Sequence, residues 1–306
     1  MAITSKGVIG MLFAALEQDN SASWPNTIAM TTHSDSESEE YAWLGQTPAM
    51  REMVGGRAAK KLRESGLVIR NKPYESTLEI PIDWMRRDKT GQIQIRVNEQ
   101  AQKANNHWAK LLSALILNGA ATVCYDGEYF FDTDHSEGDS GTQSNSISVD
   151  IVTTTAPTPD EMQTAILKSI EQLMGFKDDT GDLMNEMARQ FTVMVPLSFM
   201  TPACSALGAT VIGQTSNLIM ATSSLAGFNI NLAINPRLTW TTKFATFRAD
   251  SVAKPLIKQS EVELEVSAVA EGSELEFEER VHRYGLYASR NVGYGFWQYA
   301  NLTTFT

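Results

Sequence analysis

Apolar residues recur at the three- and four-residue spacing of an amphipathic helix over residues 93–117. The stripe consists of Ile93, Val97, Ala101, Ala104, Trp108, Leu111, Leu112 and Leu115. Asn118-Gly119 follows, a pair typical of a helix C-terminus. The pattern predicts one helix of roughly 37 Å, longer than the usual three to four turns. The alternation Ile93-Gln-Ile95-Arg-Val97 also fits a strand, so the start of this helix is open.

Two further segments carry a helical pattern. Thr158-Pro159-Asp160-Glu161 is typical of a helix N-terminus, and an apolar stripe from Met162 to Met174 follows it. Residues 1–20 place Val8, Met11, Leu12 and Leu16 on one face. Because no basic start precedes a clean apolar run there, we interpret this segment as an amphipathic arm rather than a signal peptide.

Period-two alternation predicts strands elsewhere. The segments are 67–84, 191–199, 226–234, 244–248, 261–266, 275–279 and 282–305. Short strands at 120–125 and 129–131 are joined by Asp126-Gly127, a good hairpin turn. The acidic residues 31–40 are expected to form a solvated loop. The chain is therefore predicted to be α+β, with a middle block at 155–240 inserted between β-rich outer segments.

Composition narrows the function classes. The chain has 306 residues, 42% of them hydrophobic, and a net charge of −11. It can bury a large core, and an acidic surface argues against sequence-independent binding of nucleic acid. We find no apolar stretch long enough to span a bilayer. The two cysteines, Cys124 and Cys204, indicate a reduced compartment and are expected to be buried core thiols.

One segment of this acidic chain is locally basic. Its cations are Arg51, Arg57, Lys60, Lys61, Arg63, Arg70, Lys72, Arg86 and Arg87. A cationic projection of this kind can lie on an acidic neighbour, whereas the alternative is an ordinary solvated hairpin.

Catalytic motifs are absent: we find no nucleophile elbow, zinc-protease helix, phosphate-binding loop, dinucleotide fingerprint or paired CxxC motif. The one chemical-looking cluster is Asp132, Asp134 and His135, and oxygen ligands at this density could hold a divalent cation. It does not fit an EF-hand, because Glu137 occupies the position that requires glycine. We interpret the cluster as turn and intersubunit polar contacts, and we predict no catalytic residue, metal or cofactor.

An ordered set of motifs resembles the major head subunit of Mu-like tailed phages. The set comprises Tyr41-x-Trp43-Leu44-Gly45, Asn71-Lys72-x-Tyr74-Glu75, Cys124-Tyr125-Asp126-Gly127, Phe130-Phe131-Asp132 with His135, Lys254-Pro255, Tyr284-Gly285, Ala288-x-Arg290 and Gly293-x-Gly295-Phe296-Trp297-Gln298. Each motif alone is weak, but their order along residues 25–300 is specific.

The resemblance implies the Hong Kong 97-type capsid fold. On this chain it implies an N-terminal arm at 1–40, an extended hairpin called the E-loop at 41–90, and a peripheral domain at 91–154 and 241–306. The peripheral domain would contain a long spine helix, and an axial domain would occupy 155–240.

The implied function is that of the major capsid protein of a tailed phage, assembled in the host bacterial cytoplasm and present in the virion. Hexamers and pentamers would form an icosahedral shell around double-stranded DNA, without sequence-specific DNA binding or a membrane. Portal, scaffolding and decoration proteins are the further partners implied. Two alternatives stay open: an encapsulin-like compartment, and a metal-dependent hydrolase that uses Asp132, Asp134 and His135.

Opposite charges predict where copies of the chain meet. On the E-loop the contact residues would be Trp43, Arg57, Lys60, Lys61, Arg63, Arg70 and Lys72. They would lie on an acidic peripheral face of the next copy, formed by Glu261, Glu263, Glu265, Glu276 and Glu278.

Overall fold

The computed structural model describes residues 4–17, 23–41, 66–87, 91–212, 215–220 and 227–306. It confirms a mixed α+β fold. The predictions for Trp43, Arg57, Lys60, Lys61 and Arg63 lie outside the described residues. In the part of the chain that is described, each helix is too short or too polar to cross a membrane.

The helices are α1 (Ser5–Leu16), α2 (Trp24–Ile28), α3 (Ile82–Arg87), α4 (Gln92–Asn105), α5 (His107–Leu117), α6 (Pro159–Met174), α7 (Met200–Gly208) and α8 (Glu274–Glu279). The strands are β1 (Ala29–His33), β2 (Ser38–Tyr41), β3 (Leu67–Arg70), β4 (Lys72–Pro81), β5 (His135–Ser136), β6 (Thr142–Gln143), β7 (Ser146–Val149), β8 (Gln190–Val195), β9 (Val211–Ile212), β10 (Thr215–Ser216), β11 (Asn229–Ile234), β12 (Lys243–Arg248), β13 (Leu256–Val269), β14 (Val281–Tyr294) and β15 (Ala300–Phe305).

A four-stranded sheet, in the order β1-β13-β14-β4, carries helices on one face. We call the covered side its inner face. There Ile80, Tyr284 and Leu286 pack against Val8 and Leu12 of α1 and against the stripe of α4. The predicted N-terminal helix is therefore confirmed within the described residues, with Val8 and Leu12 fully buried.

A five-stranded sheet, in the order β11-β8-β12-β15-β7, forms the second layer. It packs against α6, which begins at Pro159 as the sequence predicts. A capping box between Thr158 and Glu161 closes its N-terminus. Strands β12 and β15 come from residues predicted to be peripheral. However, β12 pairs with β8 of the middle block, and β15 pairs with β12. The predicted boundary at residue 240 therefore does not separate the two sheets.

The predicted long helix is interrupted at Asn106. Its ψ angle is −2°, so α4 ends at Asn105 and α5 begins at His107. The hydrogen bond from Lys110 N–H to Asn106 O keeps the two helices joined end to end. Asparagine is a weak helix former, and the hydrophobic stripe contains no signal for the change in ψ.

Three local predictions are wrong. Residues 274–279 form a helix rather than a strand, because Ser273 caps its N-terminus and Arg280 ends it in a left-handed conformation with φ 56°. The proposed strands around Asp126-Gly127 reduce to a single bridge between Val123 and Tyr129, although the turn is present. Residues 31–40 are mostly strand, with only 34–37 left as a loop between β1 and β2.

Candidate assembly surfaces

Strands β2 and β3 form the base of the predicted E-loop. They pair antiparallel from Ser38 with Arg70 to Tyr41 with Leu67. Arg70, one of the predicted contact residues, forms an ion pair with Glu37 beside this base, and Lys72 is exposed at the start of β4. Arg70 and Lys72, the two predicted contact residues that the structure describes, therefore lie where β3 meets β4 of the four-stranded sheet.

A buried polar network fixes this base to β13. The Tyr41 hydroxyl donates to Gln259 Oε1 at 2.7 Å, and Gln259 Nε2 donates to Asn71 Oδ1 at 2.7 Å and to Ile69 O at 3.1 Å. Asn71 Nδ2 donates in turn to Ser34 Oγ at 3.0 Å. Gln259 is fully buried, so these partners are the groups available to satisfy its amide. The network ties the hairpin strands to the long strand of the sheet.

Gly293 lets β3 lie close over β14. A side chain at this position would collide with Ile69 and approach Leu67. Burial raises the pKa of Tyr41, so its hydroxyl stays a neutral donor within the network. Sequence analysis pointed to Tyr41, Asn71 and Gly293 as parts of separate motifs, and the structure brings them to one place.

The outer face of the four-stranded sheet, opposite α1 and α4, carries exposed acidic side chains. One row across the strands is Glu265, Tyr287 and Glu75, and a second is Val269, Arg283 and Glu79. All six residues are exposed. The rows contain three carboxylates against one guanidinium, and Arg283 Nε donates to Glu79 at 2.8 Å. This face is net negative, and Tyr287 places an aromatic ring in its first row.

The structure does not gather the five predicted glutamates on that face. Only Glu265 lies in these rows, since β-bulges shift the register of β13 before it. Glu263 lies 3.7 Å from His33, and Glu261 accepts a hydrogen bond from Ser289. Glu276 and Glu278 belong to α8, where Glu276 accepts from Gly272 N–H.

Sequence reasoning missed Glu75, Glu79 and Tyr287 as members of the outer face. Alternation along β4 and β14 gave the signal for the side on which each lies. The pairing that brings the two strands together could not be predicted from either strand alone.

The predicted Asp132, Asp134 and His135 cluster is divided in two. His135 is fully buried; its Nδ1 lies 2.6 Å from Asp126 Oδ2, and its ring stacks on Trp297 with centroids 4.0 Å apart. Cys124 Sγ donates to the other Asp126 oxygen at 2.9 Å. The carboxylate of Asp126 therefore joins a buried thiol to a buried imidazole.

The electrostatics of this buried group favour a structural role. Burial opposes ionisation of Asp126, but hydrogen bonds from His135 and Cys124 outweigh it and lower the pKa of Asp126. Burial, reinforced by the negative charge of Asp126, raises the pKa of the Cys124 thiol, which stays protonated and unreactive. The prediction of a buried thiol is confirmed for Cys124, whereas Cys204 is exposed.

Carboxylates of Glu128, Asp132 and Asp134 converge at the surface within 4.8 Å of one another. A hydrogen bond with Asp132, together with its negative charge, raises the pKa of Asp134. These oxygens could hold a cation, but the imidazole of His135 faces Asp126 instead. The hydrolase alternative needs Asp132, Asp134 and His135 to converge. These three described residues do not do so.

A family model and two known proteins are similar to this chain in sequence. The family model of the Mu-like prophage major head subunit gpT matches residues 7–157 and 237–304. The Mu-like prophage FluMu major head subunit of Haemophilus influenzae is 35% identical over 123 residues, which is 40% of each protein. The major capsid protein of Escherichia phage Mu is 34% identical over 110 residues, which is 36% of each. The alignments thus span about two fifths of these relatives.

Solved capsid structures share the fold. The procapsid protein of bacteriophage JBD30 superimposes with a TM-score of 0.57 over 97% of this chain and 72% of that chain, at 23% identity. A virus-like particle protein from Pyrococcus furiosus gives a TM-score of 0.52 over 98% of both chains, at 8% identity. The fold is therefore of the phage-capsid type, and the match of the family model to both outer segments shows that the chain belongs to the Mu-like prophage major head subunit family, whose members are structural proteins rather than enzymes.

Proposed function

We propose that this chain is the repeating subunit of the icosahedral head of a tailed phage. Hexamers and pentamers of the chain would close into a shell that encloses double-stranded DNA, and the mature protein would reside in the virion. Family membership supports this proposal, as do the solved capsid structures that share its fold. A portal protein, and scaffolding or decoration proteins, would be the further partners of such a shell.

The observation that carries the proposal is the paired base that β2 and β3 form. Both strands are tied to β13 through Gln259, so the two ends of the predicted E-loop segment are anchored on the sheet. That segment contains Arg57, Lys60, Lys61 and Arg63. A cationic segment with anchored ends would suit a contact with an acidic surface of another copy.

The partner surface would be the outer face of the four-stranded sheet of the next copy. Its carboxylates, Glu75, Glu79 and Glu265, are exposed and have one nearby cation, Arg283. Because the E-loop and the outer face are different surfaces, each copy would place its E-loop on one neighbour and accept the E-loop of another on its outer face. Such heterologous contacts close into rings, which is the arrangement that capsomers need. Opposite charge would select the register of the contact.

Electron microscopy of the purified protein, expressed with and without its neighbouring genes, tests the proposal. Closed shells, tubes or ring-shaped capsomers are the expected products. A dispersed monomer under every condition would contradict the proposal. Shells that contain a protein cargo, from a gene outside a phage head operon, would favour the encapsulin-like alternative.

Charge reversal tests the surface itself. Glu75→Lys with Glu265→Lys should block shell formation and leave the subunit folded, and so should Arg57→Glu with Lys60→Glu and Lys61→Glu. Asp182→Lys with Glu186→Lys makes the same charge change as the first variant at two exposed loop positions and serves as its control. Normal shells from both reversed variants would refute this contact while leaving the shell itself intact.

A further inference from the structure

A groove runs between helices α4 and α5 and the inner face of the four-stranded sheet. It consists of two adjoining cavities of about 210 Å³ and about 370 Å³, which share Ala104, Leu264 and Arg290 in their walls. Leu286 and Ala288 extend the apolar floor of the smaller cavity. The groove is thus large enough for side chains of another polypeptide segment, and its smaller cavity has the more apolar lining.

Arg290 is a buried cation in the wall of this groove. It is only 7% exposed, and its guanidinium lies 4.8 Å from the ring centre of Trp108. Its Nε makes no hydrogen bond, and no described carboxylate lies within 4.0 Å of it. Burial lowers the pKa of Arg290, an effect that the negative charge of Glu263 only partly offsets. Glu263 lines the larger cavity together with Arg290 but forms no ion pair with it, so the buried guanidinium still favours an anionic partner from outside.

The rim of the smaller cavity is cationic as well. Lys103 and Lys110 are exposed, and their spacing of seven residues places them about 10 Å apart along the helices. His107 lies between them and packs edge-on against Tyr74. Burial, aided by the charges of Arg290 and Lys110, lowers the pKa of His107 to about 4, so it is neutral near pH 7. Glu75 also lines this cavity, so two flexible cations and one carboxylate surround its apolar opening, and with Arg290 the lining is net positive.

Helix α8 has the complementary pattern. None of its six residues is buried, and Phe277 is 89% exposed. Glu274, Phe277 and Glu278 stand at positions i, i+3 and i+4, which share one face of a helix. An exposed phenyl ring with a carboxylate on either side of it is thus presented to solvent. A contact that covers this ring would remove its apolar surface from water, which is favourable.

The ends of α8 are fixed, which makes it a firm projection. Ser273 Oγ accepts from Glu276 N–H at its start, and Arg280 ends it in a left-handed conformation. Ile82 N–H donates to Arg280 O, and Val281 pairs with Pro81. These bonds hold α8 at the far end of the sheet, so that it cannot fold back into the groove of its own copy.

We propose that α8 of one copy docks in the groove of a second copy, with Phe277 in the apolar opening. Glu274 and Glu278 would then pair with Lys103 and Lys110, and a carboxylate would come near Arg290. A DNA duplex does not suit this site, because the two lysines that flank the opening are only about 10 Å apart along the helices, too close for a double helix to enter between them. The contact is heterologous, since projection and groove are different surfaces. It rests on the proposed shell function but uses neither the hairpin nor the outer face.

Charge exchange between the two surfaces tests this contact. We expect Glu274→Lys with Glu278→Lys, and separately Lys103→Glu with Lys110→Glu, each to lower the yield of shells roughly tenfold or more, because like charges then meet. The four substitutions together should restore the yield to within about threefold of the original protein. The yield is measured by sedimentation and electron microscopy, and circular dichroism verifies that each subunit is folded.

The outcomes separate this contact from the shell function as a whole. Shells of the unchanged protein with normal yields from both reversed pairs would overturn the docking proposal alone. A fourfold variant that assembles no better than either pair would overturn it too, because exchanged charges on touching surfaces must compensate. If the unchanged protein forms no assemblies at all, the proposed shell function fails first. Phe277→Ser should weaken assembly in the same way without lowering subunit stability, since the ring is exposed.

Discussion

Gln259→Leu should destabilise the subunit by about 3 kcal/mol. The substitution keeps the approximate volume of the side chain and removes three hydrogen bonds in a fully buried place, those from Tyr41, to Ile69 O and to Asn71 Oδ1. Tyr41 keeps its bond with the hydroxyl of Thr32 at 2.7 Å. The Ile69 carbonyl and the Asn71 amide oxygen are left without this partner, at a cost of about 1–3 kcal/mol each. The added apolar burial of leucine offsets part of that cost.

Urea unfolding of the dissociated subunit measures the change, read as a shift in midpoint at constant slope. Hydrogen exchange supplies a local readout, because the amides of β2 and β3 should exchange faster if Gln259 holds them to β13. Gln102→Leu, at an exposed position of α4, makes the same chemical change and should alter stability by no more than about 0.5 kcal/mol. A loss below about 1 kcal/mol for Gln259→Leu, with exchange in β2 and β3 unchanged, would refute the reasoning.

Three further perturbations follow from the described contacts. Asp126→Ala should cost about 3–5 kcal/mol in urea unfolding, because it leaves buried His135 and Cys124 without their shared partner; an effect under 1 kcal/mol would contradict this. Since the pKa of Asp126 is lowered by folding, its contribution to stability is complete above the unfolded value near 3.9 and is lost as pH falls through the folded value. Asp126→Asn should therefore flatten the acid limb of the stability profile, and an unchanged limb would count against it. Gly293→Val should destabilise the subunit by about 1–3 kcal/mol and loosen β3, because the new side chain collides with Ile69; unaltered exchange in β3 would show that the collision is relieved. Thr158→Ala should cost about 1 kcal/mol by removing the cap of α6, and calorimetry that shows no change would disprove that.

Elements with a strong local signal were predictable. Helix α6 begins at Pro159, where the Thr158 and Glu161 pattern places it, because a capping box is satisfied within four residues. The buried stripe of α4 and the alternation in β13 were also visible, since each depends only on the period of the element. Short segments misled: six residues around Phe277 fit either period, and capping by Ser273 decided for helix.

The candidate contact surfaces depended on pairing between distant strands. Glu75 is more than 180 residues from both Glu265 and Tyr287 in sequence. Only the register of β4, β14 and β13 places the three residues in one row. The β-bulges in β13 likewise shift its register between Ser260 and Glu265, so Glu261 and Glu263 have no place in the rows that simple alternation predicts. A bulge changes which side of a strand faces out, and it leaves no clear mark in a run of alternating residues.

The fold class, the family and the lack of a recognisable catalytic motif could be predicted from the sequence, because they depend on local periodicity and on the order of short motifs. Folding was needed to show that Tyr41, Asn71 and Gln259 share one buried network, that His135 faces Asp126 rather than Asp134, and that Arg290 lines a groove. The physical reason is that a local pattern is set by neighbours along the chain. A buried polar or charged group is instead defined by the partners that folding brings to it from far away in sequence.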